Sequence, residues 1–158
     1  MVTLMKRTLL FALLLIATPL AAQTEMRAGV RAGIAQYEAD GFRVRFDAIA
    51  PVFGGDFWMR RGRFALDLGF DGYQIKGADT FTILSADAQF LIGRLAIGGG
   101  PAMVTSGDTD FTFIPSLSLN LPAGKRQFVA MVRYHEADLG FENSKTTLFL
   151  LGMRTGAF

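Results

Sequence analysis

The feature that most constrains this chain is alternation. From residue 27 onward, apolar and polar side chains trade places at every second position, and no stretch repeats apolar residues at helical spacing for more than a turn or two. A β-strand whose two faces meet different surroundings reads in this way. Ala28, Val30, Ala32 and Ile34 oppose Arg27, Gly29, Arg31 and Gly33, and Phe42, Val44, Phe46, Ala48, Ala50 and Val52 oppose Arg43, Arg45 and Asp47. Phe64, Leu66, Leu68 and Phe70 oppose Asp67 and Asp71, and Leu84, Ala86, Ala88, Phe90 and Ile92 oppose Ser85, Asp87 and Gln89. Four more segments follow, around Leu95–Met103, Phe111–Leu121, Phe128–Tyr134 and Thr147–Met153; in the last, Leu148 and Leu150 break the pattern.

Short turn-forming stretches separate these segments: Glu38–Gly41, Lys76–Asp79, Ser106–Asp108 and Pro122–Lys125. Connections this short pair successive strands as antiparallel hairpins. Eight such strands, with no helix to cover a sheet, predict an all-β, closed, antiparallel, up-and-down eight-stranded barrel, since closure removes exposed edges. Pro101 and Pro115 each remove a ladder donor, so a bulge or strand end is expected at each, and Pro115 marks a candidate break in the sixth strand. The run Gly98–Gly99–Gly100 lacks the helix and Lys-Ser/Thr pair of a phosphate loop, and it suits close packing or local bending.

Residues 1–22 have a different character. Lys6 and Arg7 precede an apolar run ending near Pro19, with small residues up to Ala22, the layout of a cleaved secretory signal peptide. A single barrel domain over residues 23–158 is therefore expected. Without Lys6 and Arg7, its basic residues match the 14 acidic ones, so charge gives no case for a nucleic-acid partner. With no cysteine and one histidine, neither a disulfide framework nor a metal site is expected, and no cofactor is implied.

Alternation alone does not say which face points inward, because a soluble lipocalin-like barrel and a membrane barrel share one pattern, inverted. Bulk favours apolar-out: the apolar faces carry far more large side chains than the roughly twelve that three layers of a small barrel interior hold. Lysine placement agrees, since Lys76, Lys125 and Lys145 all fall at turns or strand ends, whereas the charges within strands are arginine and aspartate. The expectation is a transmembrane barrel whose lumen holds a paired network of Arg27, Arg31, Arg43, Arg45, Asp47, Asp67, Asp71, Asp87 and Arg133, without a large pore. Gly54–Arg61 reads as a periplasmic turn, with Phe57 and Trp58 as membrane-interface anchors there and Tyr134 toward the opposite rim.

The whole pattern resembles the small outer-membrane β-barrel family, in particular the membrane domain of outer membrane protein A and its opacity-protein-like relatives. The most specific match is the end of the chain, Leu150–Phe158, where Gly152 and the terminal Phe158 fit the family's form and Gly156 stands where an aromatic is usual. The resemblance implies export to the cell outer membrane, contact with outer-membrane lipids, recognition by the outer-membrane assembly machinery through the strand ending at Phe158, and a monomer with a structural or surface-interaction role. It makes Phe158 an interface residue as well. Two alternatives stand beside this reading. His135, followed by Glu136 and later by Glu142 and Ser144, looks faintly like the lipid A deacylase barrels, whose motif has a serine two residues after the histidine; Ala137 occupies that position here. A secreted soluble barrel holding an apolar ligand is the other.

Overall fold

Eight strands follow one another along the chain: β1 Glu25–Asp40, β2 Arg45–Arg61, β3 Phe64–Gln74, β4 Thr80–Ile92, β5 Leu95–Ser106, β6 Asp108–Ala123, β7 Arg126–Asp138 and β8 Asn143–Thr155. The computed structural model describes residues 24–40, 45–75, 80–138 and 143–156. The predicted signal peptide, Arg43, Phe158 and the Lys76–Asp79 turn lie outside the described residues. Each strand pairs antiparallel with its sequence neighbour, and β8 pairs with β1, so the sheet closes on itself. The strands run from 11 to 17 residues, enough for the roughly 9–11 that a tilted strand needs to cross a bilayer.

The β1–β2 ladder sets which residues face inward, because directly paired residues share a face. Gly33 pairs with Val52, Arg31 with Gly54, Gly29 with Asp56 and Arg27 with Trp58. The odd-numbered side of β1 is therefore matched to the even-numbered side of β2. This corrects two expectations. Ala50 and Val52 are buried, whereas Ile49, Pro51 and Phe53 are exposed, so β2 has the opposite phase to the one the sequence suggests. Gly54–Arg61 is not a turn, since β2 runs through it, and Trp58 points into the barrel and is fully buried rather than anchored at an outer interface. Glu38–Asp40 likewise continues β1.

At the end holding Glu25 and Thr155, three two-residue turns join the strands. Gly62, Gly93 and Gly124 open them with φ of 61°, 63° and 61°, and Arg63, Arg94 and Lys125 follow. A left-handed glycine at the first central position is the mark of a II′ hairpin, whose twist matches the flanking strands. The carbonyl of the second turn residue is bonded in each case: Leu91 N donates to Arg63 O at 2.7 Å, Asn120 N to Arg94 O at 2.7 Å, and the Arg27 guanidinium to Lys125 O at 3.2 Å.

The prolines are accommodated without breaking a strand. β6 runs unbroken through Pro115, which pairs with Gly99, but its ladder with β7 begins only at Ser116 opposite Arg133. On the β4–β5 ladder, pairing stops at Ser85–Ala102 and resumes at Ala88–Gly99, skipping Pro101 and Gly100. Gly100 is pressed there against the backbone of Ala86 and Asp87, where a Cβ would collide with the Ala86 carbonyl. Gly100→Val is therefore expected to cost roughly 1–3 kcal/mol, the range for overpacking. Gly72→Ala, whose new Cβ meets nothing nearer than 3.8 Å, should stay within about 0.5 kcal/mol. Equilibrium urea unfolding of the two variants in lipid vesicles measures the difference.

Candidate functional site: a charged belt inside the barrel

The interior has three tiers. Nearest the Glu25–Thr155 end, Trp58, Ala65, Leu91 and Ala96 form a small apolar cluster. At the far end a larger one gathers Tyr37, Val52, Tyr73, Ile75, Phe81, Ile83, Val104, Ile114 and Leu148. Its rings pack directly: Phe81 lies 5.3 Å from Tyr37 and stacks at 4.9 Å on Tyr73, whose hydroxyl is 3.2 Å from Thr146 Oγ1. The sequence reading expects a polar interior throughout, and this apolar tier corrects it. Leu148 and Leu150, which break the alternation of β8, belong to this cluster.

Charge fills the space between. Arg31, from β1, binds Asp71 with two parallel contacts, Nε to Oδ1 at 2.6 Å and Nη2 to Oδ2 at 2.7 Å. Arg133, from β7, donates to the same Asp71 Oδ2 at 2.8 Å, to both Asp87 oxygens at 3.0 and 2.9 Å, and to Ser85 Oγ at 2.5 Å. Arg154, from β8, donates to Asp56 at 2.8 Å, Asp67 at 2.5 Å and Asn120 Oδ1 at 3.2 Å. Arg31 Nη1 lies 3.6 Å from Asp56 and 3.8 Å from Asp67, which joins the two halves into one network. A planar guanidinium suits this bridging, because its five donors leave in fixed directions toward several carboxylates at once. The network rests on the lower tier: the Arg154 guanidinium sits 5.3 Å over the Trp58 ring, and Trp58 Nε1 donates to Gln89 Oε1 at 3.3 Å.

Of the residues the sequence nominates, Arg31, Asp67, Asp71, Asp87 and Arg133 meet in this belt. Arg27 stands apart, near the rim, paired with Glu25 at 2.6 Å. Arg45 and Asp47 are placed in the ladder at the far end of β2, opposite Asp40 and Glu38, and their side chains lie outside what is described. Two members are missed by the sequence reading. Asp56 falls in the stretch taken for a turn, and Arg154 carries the right parity on β8 but not the nomination. Phe57 is 38 % exposed on the outside, and Tyr134 is exposed toward the far rim, its hydroxyl donating to Glu136.

His135 has no catalytic company among the described residues. It is fully buried, and neither ring nitrogen has a hydrogen-bond partner there. Thr146 lies opposite it in the ladder, while Ser144 gives its hydroxyl to the Ala137 carbonyl at 3.1 Å. Glu136 faces outward with Lys145 at 4.0 Å. Glu142 is outside the described residues.

No family model and no curated protein matches this chain. Solved structures do. Neisserial surface protein A superposes with a TM-score of 0.57 at 14% identity, covering 81% of this chain and 96% of that one. The attachment invasion locus protein Ail of Yersinia pestis, in complex with a heparin analogue, gives 0.53 at 18% identity, covering 82% and 99%. The fold is that of the small eight-stranded outer-membrane barrels. The shared closed antiparallel circuit puts the charged belt on the inside wall of such a barrel.

Asp71 is the hinge of the belt, since both Arg31 and Arg133 depend on it. Asp71→Ala removes the bidentate partner of the buried Arg31 guanidinium and one of the two carboxylates of Arg133, which keeps Asp87, and should cost about 3–5 kcal/mol, the usual penalty for breaking a buried pair. Glu136→Ala, which removes only an exposed contact, should cost well under about 1 kcal/mol. Urea unfolding of the two variants distinguishes them.

Proposed function

We propose that this chain is an integral outer-membrane β-barrel with a structural or surface-interaction role, its interior plugged by the arginine–aspartate belt. The observation that carries the reading is the inversion of burial. Phe111 is 77 % exposed, Ile49 74 %, Leu151 70 % and Phe64 68 %, while Arg133, Arg154, Asp71 and Asp87 are at most 1 % exposed. In water that arrangement exposes far more contiguous apolar surface than the few hundred Å² a soluble monomer tolerates. In hydrocarbon it is the required one: closure bonds the backbone internally and the outward side chains meet acyl chains.

The interior argues for a plug rather than a conduit. A small cavity beside Arg31, Asp56, Met131 and Arg154 amounts to about 10 Å³, room for about one water. Nor does that space suit a lipophile, which speaks against the soluble carrier. The short II′ turns support a periplasmic position for the Glu25–Thr155 end, because such barrels keep their short turns on that side. The C-terminal segment, β8 and the residues after it up to Phe158, is then the part of the chain offered to the outer-membrane assembly machinery, and outer-membrane lipids surround a monomer. With Ser144 bonded to backbone and His135 unaccompanied, the reading is non-enzymatic.

Three measurements test it together. The protein should fractionate with outer membranes, run with a different mobility on gels with and without boiling, and give no stepwise conductance in a planar bilayer. Leu84→Arg, on the outward face of β4, should cost about 2–4 kcal/mol if that face meets lipid. Recovery of the wild type in the soluble fraction, with Leu84→Arg fully tolerated, rejects the proposal.

A further inference from the structure

The periplasmic end carries a ring of cations. Arg60, Arg61, Arg63, Arg94, Lys125 and Arg126 lie there, while Glu25 is the acidic residue among the described residues of that rim, already held by Arg27. The opposite end is mostly acidic, with Glu38, Asp108, Asp110, Glu136 and Asp138 against Arg45 and Lys145 among the described residues. Arg94 and Arg126 are exposed, and neither has a carboxylate partner among the described residues. Above them, on the outer wall of β5 to β8 and β1, lies an apolar groove of about 530 Å³. Ala130 forms its floor, as the small residue between Leu119 and Leu151 in the ladder, and Leu95, Val132 and Phe149 help form its sides.

The two features are continuous. Leu95, in the groove wall, directly follows Arg94, and the Arg94 carbonyl is pinned to Asn120 N of β6. Arg126 lies on the same outward face of β7 as Phe128 and Ala130. A groove in the acyl zone whose wall residue Leu95 adjoins Arg94, and whose floor residue Ala130 shares its strand face with Arg126 at the rim, is complementary to one kind of molecule, with a long apolar tail and a phosphate at its end. We propose that this face binds an anionic phospholipid of the periplasmic leaflet, with its phosphate between Arg94 and Arg126 and an acyl chain along the Ala130 groove. The site rests on the membrane orientation proposed above. Guanidinium donates to phosphate oxygens in a planar fork, and the volume lies within the roughly 300–1,000 Å³ of small-ligand sites.

Native mass spectrometry of the barrel released from mixed phosphatidylglycerol–phosphatidylcholine bilayers tests this. The wild type should retain phosphatidylglycerol in preference to phosphatidylcholine. Arg94→Gln and Arg126→Gln should each lower that preference about five-fold, the weight of one basic residue at an anionic membrane surface. Ala130→Phe, which fills the groove from the lipid side, should deplete bound lipid while keeping both charges. Equal retention of the two lipids, a preference unchanged by the arginine substitutions, or a second copy of the chain in place of lipid overturns the site. The same samples run unboiled on gels report insertion independently, so an inserted barrel without a lipid preference refutes this site and leaves the membrane reading standing.

Discussion

A guanidinium group has nowhere to go on the wall of a barrel whose outside is hydrocarbon, and the rest of the architecture follows from where Arg31, Arg133 and Arg154 are put. Turned inward, they need carboxylates, and Asp56, Asp67, Asp71 and Asp87 supply them at hydrogen-bonding distance. The belt touches seven of the eight strands when Asn120 of β6 is counted, all but β5. A one-residue slip of any of the six strands that carry belt charges would move a charge to the outer wall and a bulky apolar side chain into the crowded interior. The same contacts that fill the barrel therefore hold its register. Buried ion pairs add little stability over an apolar filling of equal shape, and their larger effect here is on which of the possible closures the sheet adopts.

Much of this was legible because period two is strict wherever one face is forced. β3, β4 and β7 show their phase directly, since Asp67, Asp71, Asp87 and Arg133 cannot face lipid and their neighbours Phe70, Leu84 and Val132 can. β2 misleads because its residues are ambivalent: Ala50 and Val52 suit either wall, and the stretch Gly54–Gly55–Asp56 reads as a turn until the pairing with β1 fixes it as strand. Asp56 and Trp58 were lost with that stretch. Register is a property of two strands, so one strand's composition does not contain it. The apolar upper tier was hidden for a related reason: Ile83, Val104 and Ile114 alternate with other apolar residues, which gives both faces the same hydropathy.

The tiers also divide labour along the barrel axis. The Tyr37–Phe81–Tyr73 cluster seals the interior toward the acidic end, the belt occupies the middle, and Trp58 with Leu91 closes the end that bears the II′ turns. Charge left over from the belt is not scattered over the outside but gathered at the rims, mostly basic on one and mostly acidic on the other. That sorting follows from the same constraint, because only the rims let a long cationic side chain leave the wall and reach water or a headgroup.

The central claim is that the two faces of every strand are divided between acyl chains and an interior sealed from them. Trp58 is the single tryptophan of the chain and is fully buried in the barrel, which makes quenching by lipids brominated in the acyl chain the most direct measurement. In vesicles of such lipids, Trp58 emission should be nearly unchanged, whereas a Trp58→Phe, Phe90→Trp protein, with its reporter on the outer wall of β4, should be strongly quenched. Strong quenching of Trp58 together with a Phe90→Trp reporter that only aqueous iodide quenches would contradict the account.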